Sequence, residues 1–142
     1  MKQKLQIHEI LSRYEMAESN DERKAILIEN DSPLLRNVLQ GTYHPDIKYV
    51  IKEEVPYKKQ KIDDFGYISF QEAMNKVYIF TEGSRKVNPN LKLDKKVNIF
   101  IRVLESLDSE EAVVFMNMVL KDLKTKRLSA KVVKEVFPGL LP

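Results

Sequence analysis

The sequence predicts an all-α fold: a single multi-helix domain over residues 1–142, with seven or eight helices. Three observations point there. Apolar residues recur at i, i+3, i+4 and i+7 spacing along most of the chain; capping residues (Ser, Asn, Asp) and stop residues (Gly, Pro) fall at the edges of those stretches; and no run makes a convincing strand.

In order, residues 5–18 place Ile7, Ile10, Leu11 and Tyr14 on one stripe. Asn20 suits the N-cap of a second helix, DERKAILIEN, with Asp21 and Glu22 favourable in its first turn. Ser32-Pro33 opens a third helix that buries Leu34, Leu35, Val38 and Leu39 and ends at Gly41. Asp46 to Lys52, carrying Ile47, Val50 and Ile51, is expected to be a short helix, although the β-branched residues of KYVIKEEV would also suit a strand. Residues 53–66 have a Pro, clustered charge and no period, and predict a loop. Ser69 and Glu72 match a capping box, with a helix following to Gly83, and GSRKVNPN is a turn or short loop. Asp94 to Ser106 is apolar on more than one stripe and is expected to be central. Asp108, with Glu111 three residues on, should cap a long helix reaching Leu123. Ser129 is placed to cap the last helix, its hydroxyl accepting from the N–H of Lys131 or Val132, and Pro138-Gly139 stops it.

At 142 residues the chain can bury roughly two thirds of its unfolded surface without staples. It has no cysteine, which excludes disulfides, thiolate metal sites and thiol nucleophiles, and only two histidines, His8 and His44. No apolar run approaches the roughly 18 residues of a membrane span, so a cytoplasmic protein with no membrane contact is expected. Net charge is +3 and pI near 9.0, unevenly distributed. Glu9, Glu15, Glu18, Asp21, Glu22 and Glu29 make the first thirty residues acidic, whereas Lys121, Lys124, Lys126, Arg127, Lys131 and Lys134 are six cations in fourteen residues, opposed within that window by Asp122 alone. Lys58, Lys59 and Lys61 around Tyr57 form a second basic patch. A helix N-terminus flanked by Lys and Arg suits an anion such as phosphate, so Ser129 joins the candidate contacts.

No catalytic constellation assembles. Asp64-Phe65-Gly66 repeats a kinase metal-site tripeptide, but the phosphate loop, strand lysine and catalytic loop that give it meaning are absent. Glu53-Glu54 and Glu110-Glu111 are adjacent pairs, and neighbours on a helix do not face each other. His8 and His44 suit structural or surface roles. Tyr14, Tyr43, Tyr49, Phe70, Tyr78, Phe100, Phe115 and Phe137 fall mostly on apolar faces and belong to a core, leaving Tyr57 and Tyr67 as loop aromatics. The expectation is a non-enzymatic protein without cofactor or metal.

Residues 22–52, ERKAILIENDSPLLRNVLQGTYHPDIKYVIK, with their A-I-L-x-x-N turn, leucine-rich helix, Thr42-Tyr43 and the Ile47 to Ile51 segment leading to Pro56, resemble the opening of the N-terminal DNA-binding domain of tailed-phage ATP-dependent DNA ligases. Lys121-Asp122-Leu123, Ser129 and Val136-Phe137-Pro138-Gly139-Leu140-Leu141-Pro142 resemble its end, and small tailed-phage proteins share the Pro-Gly-Leu signature; residues 53–107 match only in general plan. The resemblance implies a helical domain that grips duplex DNA, intact or nicked, through the minor groove, in the cytoplasm of an infected host cell. The chain ends at Pro142 without a K-x-D-G adenylation motif, so ligation itself is not expected. Such domains carry Gly and small residues in the turn before the last helix, where this chain has Lys126-Arg127-Leu128.

Two functions follow. One is a stand-alone DNA-binding domain in which the C-terminal cations, helped by Ser129 and the Lys58 to Lys61 loop, contact sugar-phosphate without reading sequence. The other is an interaction module docking on a replication, repair, defence or host protein through the acidic N-terminal helices and the 53–66 loop.

Overall fold

A computed structural model describes residues 5–58 and 68–142. Among them are seven α-helices and one 3₁₀ turn: α1 (Ile7–Met16), α2 (Asn20–Glu29), α3 (Pro33–Tyr43), α4 (Phe70–Met74), the 3₁₀ turn Val77–Phe80, α5 (Leu93–Ser106), α6 (Ser109–Val119) and α7 (Ala130–Val136). The fold is all-α, with no strand among the described residues.

The centre is α6, not α5 as the pattern of α5 suggested. Ala112, Val114, Phe115, Met116, Met118 and Val119 of α6 are all buried, and α1, α3, α4 and α5 pack around it. A helix apolar on nearly every side is packed on nearly every side, and within α6 only Glu110 and Val113 are exposed. By contrast α5 buries Phe100, Val103 and Leu104 along one face. The Phe115 ring stands edge-on to Phe70 at 5.9 Å between centroids and tilted against Phe100 at 5.8 Å, and Phe100 meets Phe80 at 5.1 Å. Each fully buried side chain of this size contributes about 1.5–3 kcal/mol.

Ser19, Ser32, Ser69 and Ser129 each accept a backbone N–H of the helix they precede, which moves the cap of α2 from Asn20 to Ser19. Asp108 precedes α6 but makes no capping hydrogen bond with its side chain, and α6 stops at Val119 rather than Leu123. The helix expected between Ser69 and Gly83 breaks after Met74 and resumes as the 3₁₀ turn.

Two corrections bear on the site. Asp46 to Lys52 is not a helix. Tyr49 and Ile51 are buried and Val50 between them is half-buried, the alternation of an extended segment; Tyr49 forms an isolated antiparallel bridge with Thr81, with Val50 N–H donating to Phe80 O (2.7 Å) and Glu82 N–H to Lys48 O (2.7 Å). Gly41 does not end α3 but lies inside it. A Cβ there would stand 2.7 Å from Tyr49 Oη and 3.3 Å from Met118 Sδ, so glycine lets α3 settle on α6 with the Tyr49 hydroxyl donating to its carbonyl (2.9 Å).

Candidate nucleic-acid interface

The basic segment begins where α6 ends. Asp122 N–H donates to Asn117 O (3.0 Å) and Lys121 N–H to Met118 O (2.9 Å), with Lys121 left-handed at φ 67°. This is a Schellman stop whose left-handed position usually holds glycine. The chain then crosses to α7, anchored by buried Leu123 and Leu128, with Asp122 Oδ1 accepting Lys124 N–H (2.9 Å). Lys124 (φ 56°) and Arg127 (φ 65°) are also left-handed. Among the described residues every non-glycine with positive φ lies in this turn, and all three are basic. A Cβ in that region costs about 1 kcal/mol.

Side chains from α1 hold the turn in place. The Tyr14 hydroxyl donates to Arg127 O (2.7 Å), and Glu15 Oε1 accepts Lys126 N–H (3.0 Å). Burial raises the Tyr14 pKa, against a smaller lowering from Arg23 and Lys24. Beyond the turn, α7 rests on α2, with Val133, Phe137 and Leu141 buried and Lys24 paired to Glu135 at 2.6 Å. Arg36, held by Asp31 (2.7 Å), stacks on the Phe137 ring at 4.7 Å.

The candidate cations separate into three groups. Lys121 turns inward: its ammonium donates to Ile47 O (2.7 Å), His44 O (2.8 Å) and Gly41 O (3.2 Å) and lies 5.7 Å from the Tyr49 ring centroid. It caps the carbonyl end of α3, where a cation complements the helix dipole, and burial lowers its pKa. Its sequence assignment to DNA contact gives way to an internal one. Lys124 pairs with Glu54 at 3.1 Å, both more than half exposed, so the pair is weak and open to exchange. Lys126, Arg127, Lys131 and Lys134 are exposed and carry no ion pair among the described residues.

The Ser129 hydroxyl is used within α7, accepting Val132 N–H at 3.5 Å. Lys58 is exposed near α5, its backbone N–H donating to Glu105 Oε2 (2.8 Å). Lys59, Lys61, the Asp64-Phe65-Gly66 tripeptide and Tyr67 lie outside the described residues. Tyr57 is half-buried, and burial raises its pKa.

Sequence reading did not group His8 with the acids that open α6. His8 Nε2 is 2.8 Å from Glu110 Oε2, and with Asp108 the three offer ligand atoms within 4.8 Å of one another, so these residues could hold a cation. Acids at the start of α6 and a side-chain contact from Glu110 to His8 of α1 account for the arrangement without one. His8 Nδ1 is buried with no partner among the described residues, and buried Glu111 beside it has its pKa raised, first by burial.

No described helix is long and apolar enough to cross a membrane. In fold the chain is similar to a solved structure named Pmar-Lig_PreS3, with a TM-score of 0.64 and 18% identity. The likeness covers 93% of this chain and 29% of the other, so the chain spans less than a third of that protein's length. No curated protein matches it in sequence. Residues 10–125 match a family of unknown function (DUF6433), and the chain belongs to that family.

Proposed function

We propose that this is a non-enzymatic DNA-binding domain that holds duplex DNA by its sugar-phosphate backbone through Lys126, Arg127, Lys131 and Lys134. The observation that carries this reading is four exposed cations without ion pairs among the described residues, two on a turn held by Tyr14 and Glu15 of α1 and two on the α7 helix that follows it. Strained backbone persists where surroundings over-determine it and concentrates at functional positions. Arg127 adopts the left-handed conformation that glycine would take (φ 65°), so a glycine-like path is kept and a guanidinium is added to it. The fold likeness to a protein named as Pmar-Lig_PreS3 supports the same reading, with tailed-phage ligase domains as the model for a DNA-gripping role in replication or repair.

Binding of this kind is sequence-independent and salt-sensitive. With four phosphates neutralised, log affinity should fall with log salt at a slope of about −3 to −4. The test is fluorescence anisotropy on nicked and intact duplexes of one sequence, with wild type and with Lys126, Arg127 and Lys131 changed to Glu. Salt-dependent binding removed by the triple reversal supports the proposal; a slope near zero refutes it.

A second reading, docking on a replication, repair or host protein, is favoured by Met16 and Ile28, exposed at 78% and 58% on the acidic α1 and α2. Partner capture that survives the triple reversal and fails with Met16→Ser/Ile28→Ser would support it.

A further inference from the structure

A second concentration of charge lies away from the C-terminal turn. Between Gly83 and Leu104 the cations are Arg85, Lys86, Lys92, Lys95, Lys96 and Arg102, and the one acid is Asp94. Arg85, Lys86, Lys92 and Lys95 are exposed, and none of them has an ion pair among the described residues. The nearest preceding acid, Glu82, is taken by Lys52 at 3.1 Å, and Asp94 accepts the N–H of its neighbour Lys95 (2.9 Å). Lys92, Lys95 and Lys96 also crowd the first turn of α5, where the helix dipole disfavours cations, and Lys92 occupies the cap position without capping. Charge placed there opposes folding, and Asp94 in the same turn offsets only part of it, with no ion pair to these lysines among the described residues.

In sequence Leu93, 57% exposed, falls among these cations, between Lys92 and Lys95. A lone exposed leucine is ordinary. One set among lysines, with Arg85 and Lys86 before it and Lys95 after it, has the make-up of surfaces that bind duplex DNA by its phosphates and press an apolar side chain between them. The loop is folded by two turns: Gly83 is left-handed at φ 77°, Ser84 N–H donates to Thr81 O (3.4 Å), and Leu91 N–H donates to Asn88 O (3.0 Å).

We propose that the 83–92 loop and the first turn of α5 form a second duplex-DNA contact, in which Arg85, Lys86, Lys92 and Lys95 take phosphates and Leu93 seats against the sugars and bases between them. It rests on the nucleic-acid reading above but uses a separate set of residues, so the two can fail separately.

The test is anisotropy on one duplex between about 50 and 200 mM salt, comparing wild type, Arg85→Gln/Lys86→Gln/Lys92→Gln/Lys95→Gln, Lys126→Gln/Arg127→Gln/Lys131→Gln/Lys134→Gln, and Leu93→Ser. All these positions are exposed, and thermal melts check that each variant folds; the pair Lys92→Gln/Lys95→Gln replaces the loop quadruple if that one does not. With both contacts engaged the wild-type slope should be about −7; the loop variant should bind at least about tenfold more weakly, with that slope reduced by about 3 to 4, or by about 2 for the pair. Leu93→Ser should weaken binding several-fold with the slope unchanged, because it removes contact and no charge. A loop variant that keeps wild-type affinity and slope overturns the second contact and leaves the C-terminal one standing. A C-terminal variant that binds as wild type, while the loop variant does not, overturns the C-terminal reading alone. An unchanged Leu93→Ser overturns the apolar contact, and binding by wild type to an acidic protein but not to DNA overturns both.

Discussion

Lys121→Met separates an internal lysine from a DNA-contacting one. The substitution keeps an unbranched chain of similar reach and removes the ammonium. Three carbonyls, of Gly41, His44 and Ile47, then lose their common donor. A hydrogen bond to a charged group contributes about 1.5–3 kcal/mol. Counting the two bonds of 2.7 and 2.8 Å, and allowing for the burial that disfavours the charged lysine, the expected loss is about 3 kcal/mol, or a melting temperature lower by roughly 10 °C. Lys121→Gly loses the same bonds but relieves the left-handed backbone by about 1 kcal/mol, so the order should be wild type, then Gly, then Met. Urea melts measure stability, and the salt dependence of DNA affinity measures phosphate contact. Met should melt early and, under conditions where it is folded, keep the wild-type salt slope. Unchanged melting together with a slope reduced by about 1 would refute the internal role and return Lys121 to the interface.

Gly41→Ala gains about 1 kcal/mol of helix propensity but drives a methyl group into Tyr49 Oη and Met118 Sδ; overpacking of about 1–3 kcal/mol and a displaced hydrogen bond should leave a net loss near 2 kcal/mol in urea melts. Arg127→Gly should raise stability by about 1 kcal/mol while weakening DNA binding, a divergence of melt and titration that a structural role for the guanidinium would not give. Burial raises the Glu111 pKa, so the folded state holds its proton to higher pH than the unfolded state. Stability should therefore fall as pH rises from the ordinary carboxylate value, 4.5, through the raised folded value, and Glu111→Gln should flatten that fall and melt higher than wild type at pH 7 but not at acid pH.

The helices were legible because their apolar stripes and serine caps are local signals. The order of burial was not: α5 and α6 are both rich in apolar residues, and only the packing of four other helices around α6 makes it the centre. Asp46 to Lys52 was misread because Ile47, Val50 and Ile51 satisfy a helical spacing, whereas the decisive partner, Thr81, is supplied from elsewhere in the chain. Gly41 gave the signal of a helix stop while its role is a close approach between helices. In the basic segment the charge was plain, but the direction of each side chain depends on backbone angles that Lys121, Lys124 and Arg127 rarely adopt. The loop cations at Arg85, Lys86, Lys92 and Lys95 were equally visible in the sequence. Arg85 and Lys86 read as part of a turn and Lys95 as part of a helix, because nothing local shows that Glu82 is already engaged by Lys52.

The hydrogen bond from Tyr14 to Arg127 joins residues 113 apart. On a ribosome moving at 5–20 residues per second, an emerging α1 would wait roughly 6 to 23 s before that acceptor is made. Through that interval Ile7, Ile10, Leu11 and Tyr14 form an apolar strip whose α6 partner arrives late. The nascent chain can pair α1 with α2 early, yet closing the core must await synthesis of α6 and the turn. Truncated translation products ending before residue 109 should therefore be chaperone clients, and slowing the ribosome late in the message should prolong exposure of the strip rather than help it fold.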